Sequence, residues 1–339
     1  MSVDFRSDTV TRPTKEMLAA MFSAPVGDDV FGEDPTVNEL EAFAAEMFGM
    51  ESAMFCPSGT MTNQIAIKCH TRPGDEVICD FLAHVYQYEG GGIAFNAGCQ
   101  VRTLAGDRGR IRADQVAEAV NGDDVHKART SLVCIENTAN RGGGSCYHME
   151  ELERIQQVCR QHGLAYHLDG ARLFNAIVAK GENSLLYGKL FDSISICLSK
   201  GLGAPAGSVL LGSRTFIHSA RRIRKVFGGG MRQAGYIAAA GLYALQHHVS
   251  RLPEDHRHAA AIAAVLEKAP YVKNVLPVET NIIIFELAKA GAARQFVAQL
   301  EEKSILGYAI SPSQVRLVTH LDISDDMIMY TCDVLRSMV

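Results

Sequence analysis

Short apolar runs alternate with amphipathic stretches along most of the chain. Residues 76–79, 101–104, 132–135, 165–168, 194–198 and 208–211 read as strands, and helical patterns, notably 148–161, lie between them. This alternation is the pattern of βαβ units, which build a mostly parallel sheet covered on both faces. One helix is delimited at both ends. Asp34 can cap it, Pro35 suits its first position, and Thr36 and Glu39 have capping-box spacing, while Val37, Leu40, Phe43, Ala44 and Met47 form one apolar face and Gly49 ends it.

Beyond residue 212 the texture changes to long helical stretches at 215–226, 233–247 and 256–268. These are followed by β-like runs at 281–285 and 315–319 and helical patterns at 290–302 and 324–338. The predicted organisation is a large α/β domain over residues 1–250, N-terminal segment included, with a smaller α+β domain over 251–339 closing on it. No repeat or low-complexity segment is present. Glycine triplets at 90–92, 142–144 and 228–230 suggest turns or close ligand approach rather than linkers.

Composition narrows the class. Of 339 residues, 47% are hydrophobic and 21% charged, enough apolar surface to order a large core. A net charge of −5 offers no basic excess for a phosphate backbone, so nucleic acid is not an expected partner. The nine cysteines form no CxxC pair, which points away from a metal clip or a disulfide framework and toward buried free thiols in a reducing compartment. The first residues are charged, without an apolar signal core, and no run approaches the ~18 apolar residues of a membrane span. A soluble, cytoplasmic protein without a membrane partner is expected. GxxxxGK[ST], GxGxxG and HExxH are all missing, so neither a nucleotide nor a metal is implied.

Three features carry candidate chemistry. In the string from Cys56 to Asn63, a strand end turns through Gly59 into a helix whose free N–H groups and Thr60 hydroxyl suit an anion; it also reads as an ordinary N-cap. Asp169, in His167-Leu168-Asp169-Gly170-Ala171-Arg172, follows a β-rich run, at the edge where doubly wound sheets bind ligands; it equally suits a helix cap. Lys200 follows another strand into a glycine-rich turn, where it is either a solvated charge or an amine poised for carbonyls. Together, an anion cup, a strand-end carboxylate and a lysine 31 residues later match what pyridoxal 5'-phosphate (PLP) requires. His84 could stack on its ring.

Longer strings sharpen this reading. Phe5-Arg6-Ser7-Asp8-Thr9-Val10-Thr11-Arg12-Pro13, Gly32-Glu33-Asp34-Pro35-Thr36-Val37-Asn38, Asp169-Gly170-Ala171-Arg172, Leu198-Ser199-Lys200-Gly201-Leu202-Gly203 and Gly228-Gly229-Gly230-Met231-Arg232-Gln233 resemble the low-specificity L-threonine aldolases. These belong to the β-eliminating-lyase branch of fold type I PLP enzymes, and the resemblance runs from residue 5 to Asp322. It implies an aspartate-aminotransferase-like large domain with a mostly parallel seven-stranded sheet. It also implies that Lys200 holds PLP as a Schiff base, Asp169 pairs with the ring nitrogen, His84 stacks on the ring, and Gly59 and Thr60 bind the phosphate. Arg172 falls at the cofactor and, with Ser7 and Arg316, where the family grips the substrate carboxylate, a bidentate task that suits guanidinium. Lys225 and Arg232 fall in a segment that reaches the phosphate from a neighbouring subunit of a homotetramer, a dimer of dimers with shared sites. His126 matches the family near the β-hydroxyl, whereas Ala139 stands where many relatives have a histidine, a change that bears on the β-substituent.

The reaction so implied is cleavage of L-threonine, L-allo-threonine and related β-hydroxy-α-amino acids to glycine and an aldehyde. His84 and His126 are the candidate bases, beside an ordered water. A β-eliminating lyase acting on another amino acid is the alternative, and a non-catalytic PLP carrier is a third reading.

Overall fold

A computed structural model describes residues 2–338. The strands are β1 (Val3–Asp4), β2 (Ser52–Cys56), β3 (Glu76–Asp80), β4 (Gln100–Leu104), β5 (Thr130–Glu136), β6 (Ala165–Gly170), β7 (Ser193–Cys197), β8 (Ser208–Gly212), β9 (Val272–Val275), β10 (Ile282–Leu287), β11 (Ile305–Leu306), β12 (Tyr308–Ala309) and β13 (Gln314–Val318). A seven-stranded sheet has the order β2-β8-β7-β6-β5-β3-β4, in which β8 alone runs antiparallel to its neighbours. β3, β5, β7 and β8 are buried at every position, which is why they read as continuous apolar runs rather than alternating ones. The edge strand β4 exposes Gln100, Arg102 and Thr103 instead.

The helix Pro35–Phe48 starts on Asp34, whose carboxylate accepts from the Val37 N–H at 3.0 Å, and ends at Gly49 in the left-handed region with φ 62°. The capping box through Thr36 does not form. Asp34 already fills the cap, and the Thr36 hydroxyl donates to the Pro25 carbonyl at 2.6 Å.

Four strands in the order β12-β13-β10-β9 form a second, antiparallel sheet, beside the parallel pair β1-β11. The helices Leu252–Leu266, Ala293–Glu302 and Asp325–Ser337 complete a core around Ile262, Phe285, Phe296, Leu317 and Leu335. Val3 and Phe5 pack into this second core rather than the first. The placement of the N-terminal segment with the large domain is therefore corrected for these residues: β1 hydrogen-bonds to β11, and Phe5 accepts from the Val318 N–H. Helix Leu252–Leu266 joins the two cores, with Leu252 in one and Ala259, Ile262 and Leu266 in the other. All nine cysteines are free thiols. Among the described residues, no helix is long and apolar enough to cross a membrane.

Candidate active site

The carboxyl ends of the parallel strands converge on one edge of the large sheet, the edge where open α/β sheets bind ligands. β2 delivers Ser58, Gly59 and Thr60 there. Ser58 caps the helix Gly59–His70 by accepting from the Met61 N–H at 3.2 Å, and the Gly59 and Thr60 N–H groups have no acceptor among the described residues. Because β8 runs antiparallel, its first residue, Ser208, lies at this same edge, paired across to Cys56 and Cys197. The Ser208 hydroxyl is buried without a hydrogen-bond partner and stands 3.4 Å from where a Cβ on Gly59 would sit. An orphaned hydroxyl beside free helix N–H groups makes a cup for a phosphate.

Beside it lies a buried acidic cluster. Glu136, the last residue of β5, pairs in register with Asp169, one residue before the end of β6, and Glu89 precedes the first glycine triplet. His84, Glu89 and Asp169 each bring one side-chain atom within 4.8 Å of the others. Glu89 accepts from His84 Nδ1 at 3.0 Å, from Asn63 Nδ2 at 2.9 Å and from Gln64 Nε2 at 2.6 Å. Glu136 accepts from the backbone N–H groups of His84 and Asn140. Burial opposes charge on His84, but its hydrogen bond to Glu89 and the fields of Asp169 and Glu136 outweigh that and raise its pKa. Burial and the Asp169 charge push Glu136 upward. With Nδ1–H committed to Glu89, neutral His84 presents a bare Nε2.

Lys200 leaves β7 at the same edge, and its carbonyl accepts from the Thr11 hydroxyl at 2.9 Å. Arg172 is spent differently from the carboxylate grip the sequence suggested. Its Nε and Nη2 form a bidentate pair with Asp8 at 2.7 and 2.6 Å, deep in the protein, so two of its three nitrogens are closed to a ligand. Ser7 accepts from the Thr9 N–H and hydroxyl and caps a short turn beside this pair. Arg316 behaves as a receptor should. It is buried, donates only to Asn140 Oδ1 and the Arg6 carbonyl, and has no acidic partner among the described residues; its Nε has no partner at all. Burial, with Arg172 and Arg141 nearby, holds its pKa below the ordinary range. A buried cation lacking a counter-ion is a site for a carboxylate.

His126 does not reach this edge within one chain. It sits on an exposed loop before β5, bonded to Asp124, and the seven-residue strand that separates it from Glu136 spans about 20 Å. The expectation that it lies near the β-hydroxyl is corrected to that extent: only a neighbouring chain could bring it there. Arg232 is exposed and pairs with Asp28 at 2.8 Å, and Lys225 is exposed, so neither touches the phosphate cup of its own chain. Gly229 between them packs against Met61 in the first turn of the cup helix. Ala139 is buried with its methyl against the turn at Gly109, not facing the acidic cluster.

PLP needs a phosphate cup, an anion for its ring nitrogen, an amine and room for the substrate carboxylate. The orphaned Ser208 hydroxyl, the buried Asp169, Lys200 and the unpaired Arg316 fit all four requirements. This edge, set in a mostly parallel seven-stranded sheet with a second small sheet beside it, defines a fold type I α/β enzyme.

Residues 4–290 match the model of the beta-eliminating lyase family. The chain is 45% identical over 327 residues to the low specificity L-threonine aldolase of Escherichia coli O157:H7, covering 96% of each chain. It is 42% identical over 336 residues to a probable low-specificity L-threonine aldolase 2 of Arabidopsis thaliana, covering 97% of this chain and 95% of that one. Among solved structures, a Leishmania major threonine aldolase aligns with a TM-score of 0.87 at 24% identity over 98% of both chains. A Sphingomonas wittichii serine palmitoyltransferase aligns at 0.79 and 15%, covering 99% of this chain and 86% of that one. At those identities the structures speak for the fold. The chain belongs to the beta-eliminating lyase family and, within it, to the low-specificity L-threonine aldolases.

Proposed function

We propose that this chain is a PLP-dependent carbon–carbon lyase that splits L-threonine, L-allo-threonine and related β-hydroxy-α-amino acids into glycine and an aldehyde. The observation that carries the reading is the buried Arg316 of β13, without an acidic partner among the described residues, which reaches from the second sheet to Asn140, the residue that donates to Glu136 beside the His84, Glu89 and Asp169 cluster. It provides a carboxylate anchor beside an imidazole base.

When bound, the cofactor supplies an electron sink for the pair released at Cα. Lys200 would provide the amine that tethers it. Asp169 holds a proton on the ring nitrogen, Gly59, Thr60 and Ser208 hold the phosphate, and Arg316 clamps the substrate carboxylate. That clamp orients the Cα–Cβ bond for cleavage. His84 Nε2 is placed to take the β-hydroxyl proton as the O–H pair becomes the aldehyde carbonyl and the Cα–Cβ bond breaks, its pair staying with Cα. Glu89 fixes the tautomer that leaves Nε2 bare, and protonation of Cα completes glycine.

Arg232, Lys225 and His126 can serve such a site only across a subunit boundary. The apolar Phe31, Phe95, Val125 and Val226, each more than 70% exposed, favour burial against another chain, and the assembly proposed is a homotetramer with shared sites. Product analysis tests the reaction. L-threonine is expected to give glycine and acetaldehyde; 2-oxobutanoate and ammonia in their place would transfer the assignment to a β-eliminating lyase, which starts from the same tether and sink.

A further inference from the structure

The face of the large sheet beneath helix Gly59–His70 is not uniformly apolar. His167 and Ser193 lie abreast on β6 and β7, as do Asp169 and Ser195 two residues further on. All four are buried, and each polar group so placed is costly unless paired. Ser195 pairs with the Thr62 hydroxyl at 2.6 Å, and the other three belong to a single file. His70 Nε2 meets Ser193 Oγ at 2.8 Å, Ser193 Oγ meets His167 Nδ1 at 2.8 Å, His167 Nε2 meets Asn63 Oδ1 at 3.1 Å, and Asn63 Nδ2 meets Asp169 Oδ2 at 2.9 Å. The file crosses the sheet from its amino edge, where the partly exposed His70 lies stacked on Phe216, to the carboxyl edge of the active site.

The direction of every bond follows from its last member. Asn63 Nδ2 donates to two carboxylates, Asp169 and Glu89, both at 2.9 Å, so a flipped amide would set its oxygen against both. Asn63 Oδ1 therefore faces His167, whose Nε2 must carry the hydrogen. Burial pushes the His167 pKa down to about 3, with His70 adding to it, so the ring is neutral and Nδ1 is bare. Ser193 must then donate to it, and in turn accept from His70. Each donor points toward Asp169, and each bond polarises the next.

We propose that His167 is a positioning residue for the Asp169 carboxylate, locking the Asn63 amide so that a fixed N–H supports the charge that Asp169 presents to the cofactor's ring nitrogen. Packing alone would be served as well by apolar residues at these positions. The inference rests on the cofactor reading above and adds to it a group that never touches the cofactor.

The test compares affinity for two cofactors: PLP, and its 1-deaza analogue, in which C–H replaces the ring nitrogen. His167→Phe keeps a ring and removes both nitrogens. It is expected to weaken PLP binding roughly tenfold or more while leaving the deaza analogue within about twofold of wild type. His167→Gln, whose amide O and N are spaced much like the two ring nitrogens, is expected to restore PLP affinity. Equal losses for both cofactors would reduce His167 to a structural role and overturn the proposal, as would an unchanged PLP affinity or a failure of His167→Gln to restore it. Should His167→Phe not fold, Ser193→Ala removes the donor that fixes the tautomer and is read the same way, with a smaller loss. A wild-type protein that bound neither cofactor would overturn the functional reading instead.

Discussion

Asp8 holds together parts of the chain that are far apart in sequence, and removing its charge gives a quantitative test of the site's framework. Its buried carboxylate accepts two bonds from Arg172 and one from Asn281 at 3.3 Å. Burial by itself would raise the pKa of Asp8, but Arg172, helped by Lys200 and Asn281, brings it down from 3.8 to about 2. At 1.36 kcal/mol per unit, that shift corresponds to roughly 2 kcal/mol of folding stability at neutral pH. Asp8→Asn goes further, since it strands a guanidinium in the interior, and breaking such a pair costs about 3–5 kcal/mol. We expect a loss of about 3 kcal/mol at pH 7. Because the folded pKa is depressed, the contribution is complete above the unfolded value near 3.8 and disappears as pH falls through about 2. The charge-dependent part of the gap between wild type and variant should be intact at pH 6 and roughly halved by pH 3. Urea unfolding of the cofactor-free proteins, at one protein concentration and several pH values, measures it. A gap below about 1 kcal/mol at pH 7, or one that does not narrow in acid, would refute the reasoning.

Three further outcomes follow from the geometry. Arg316→Gln should raise KM for L-threonine about thirtyfold or more with a smaller change in kcat, because a charged anchor is lost from ground and transition states alike; a change under about threefold would remove Arg316 from substrate binding. With His84 as base and its pKa raised by Glu89, Asp169 and Glu136, kcat/KM should climb with pH through a midpoint above 6.5. Glu89→Gln should move that midpoint down, and an unmoved profile would speak against the pairing. Co-expression of Lys200→Ala with Arg232→Ala chains should regenerate some activity in mixed oligomers if the two residues serve one site from two chains, and complete inactivity of the mixture would count against a shared site.

Much of the edge that carries the site was legible because it obeys a simple rule: a polar residue closing an apolar run lies at the mouth of a parallel sheet. Asp169 and Lys200 were found this way. Glu136 closes the run of β5 in the same manner and was overlooked, although the rule applies equally to it. Glu89 had a weaker signal, the glycine triplet behind it. A Cβ on Gly92 would come within 2.5 Å of the Gln64 amide that donates to Glu89. Arg172 reads in the sequence as an open guanidinium because its partner, Asp8, is 164 residues away, and no local pattern shows that two of its nitrogens are already engaged. His126 shows a different limit: matching a family string says nothing about which chain's site a residue serves. Strand periodicity likewise could not show that β8 runs backwards and so brings Ser208 to the cup.

The pairing of β1 with β11 bears on how the chain is made. Val3 and Phe5 leave the ribosome about 300 residues ahead of the strand that receives them. At roughly 5–20 residues per second, β1 waits about 15–60 seconds for its partner. The large sheet, complete by Gly212, can assemble during that interval, whereas the second core cannot close until β11, β13 and helix Asp325–Ser337 have been made. Two apolar side chains and an unmatched strand edge stay open throughout, which makes this segment a natural foothold for a holding chaperone and a point of exposure to aggregation.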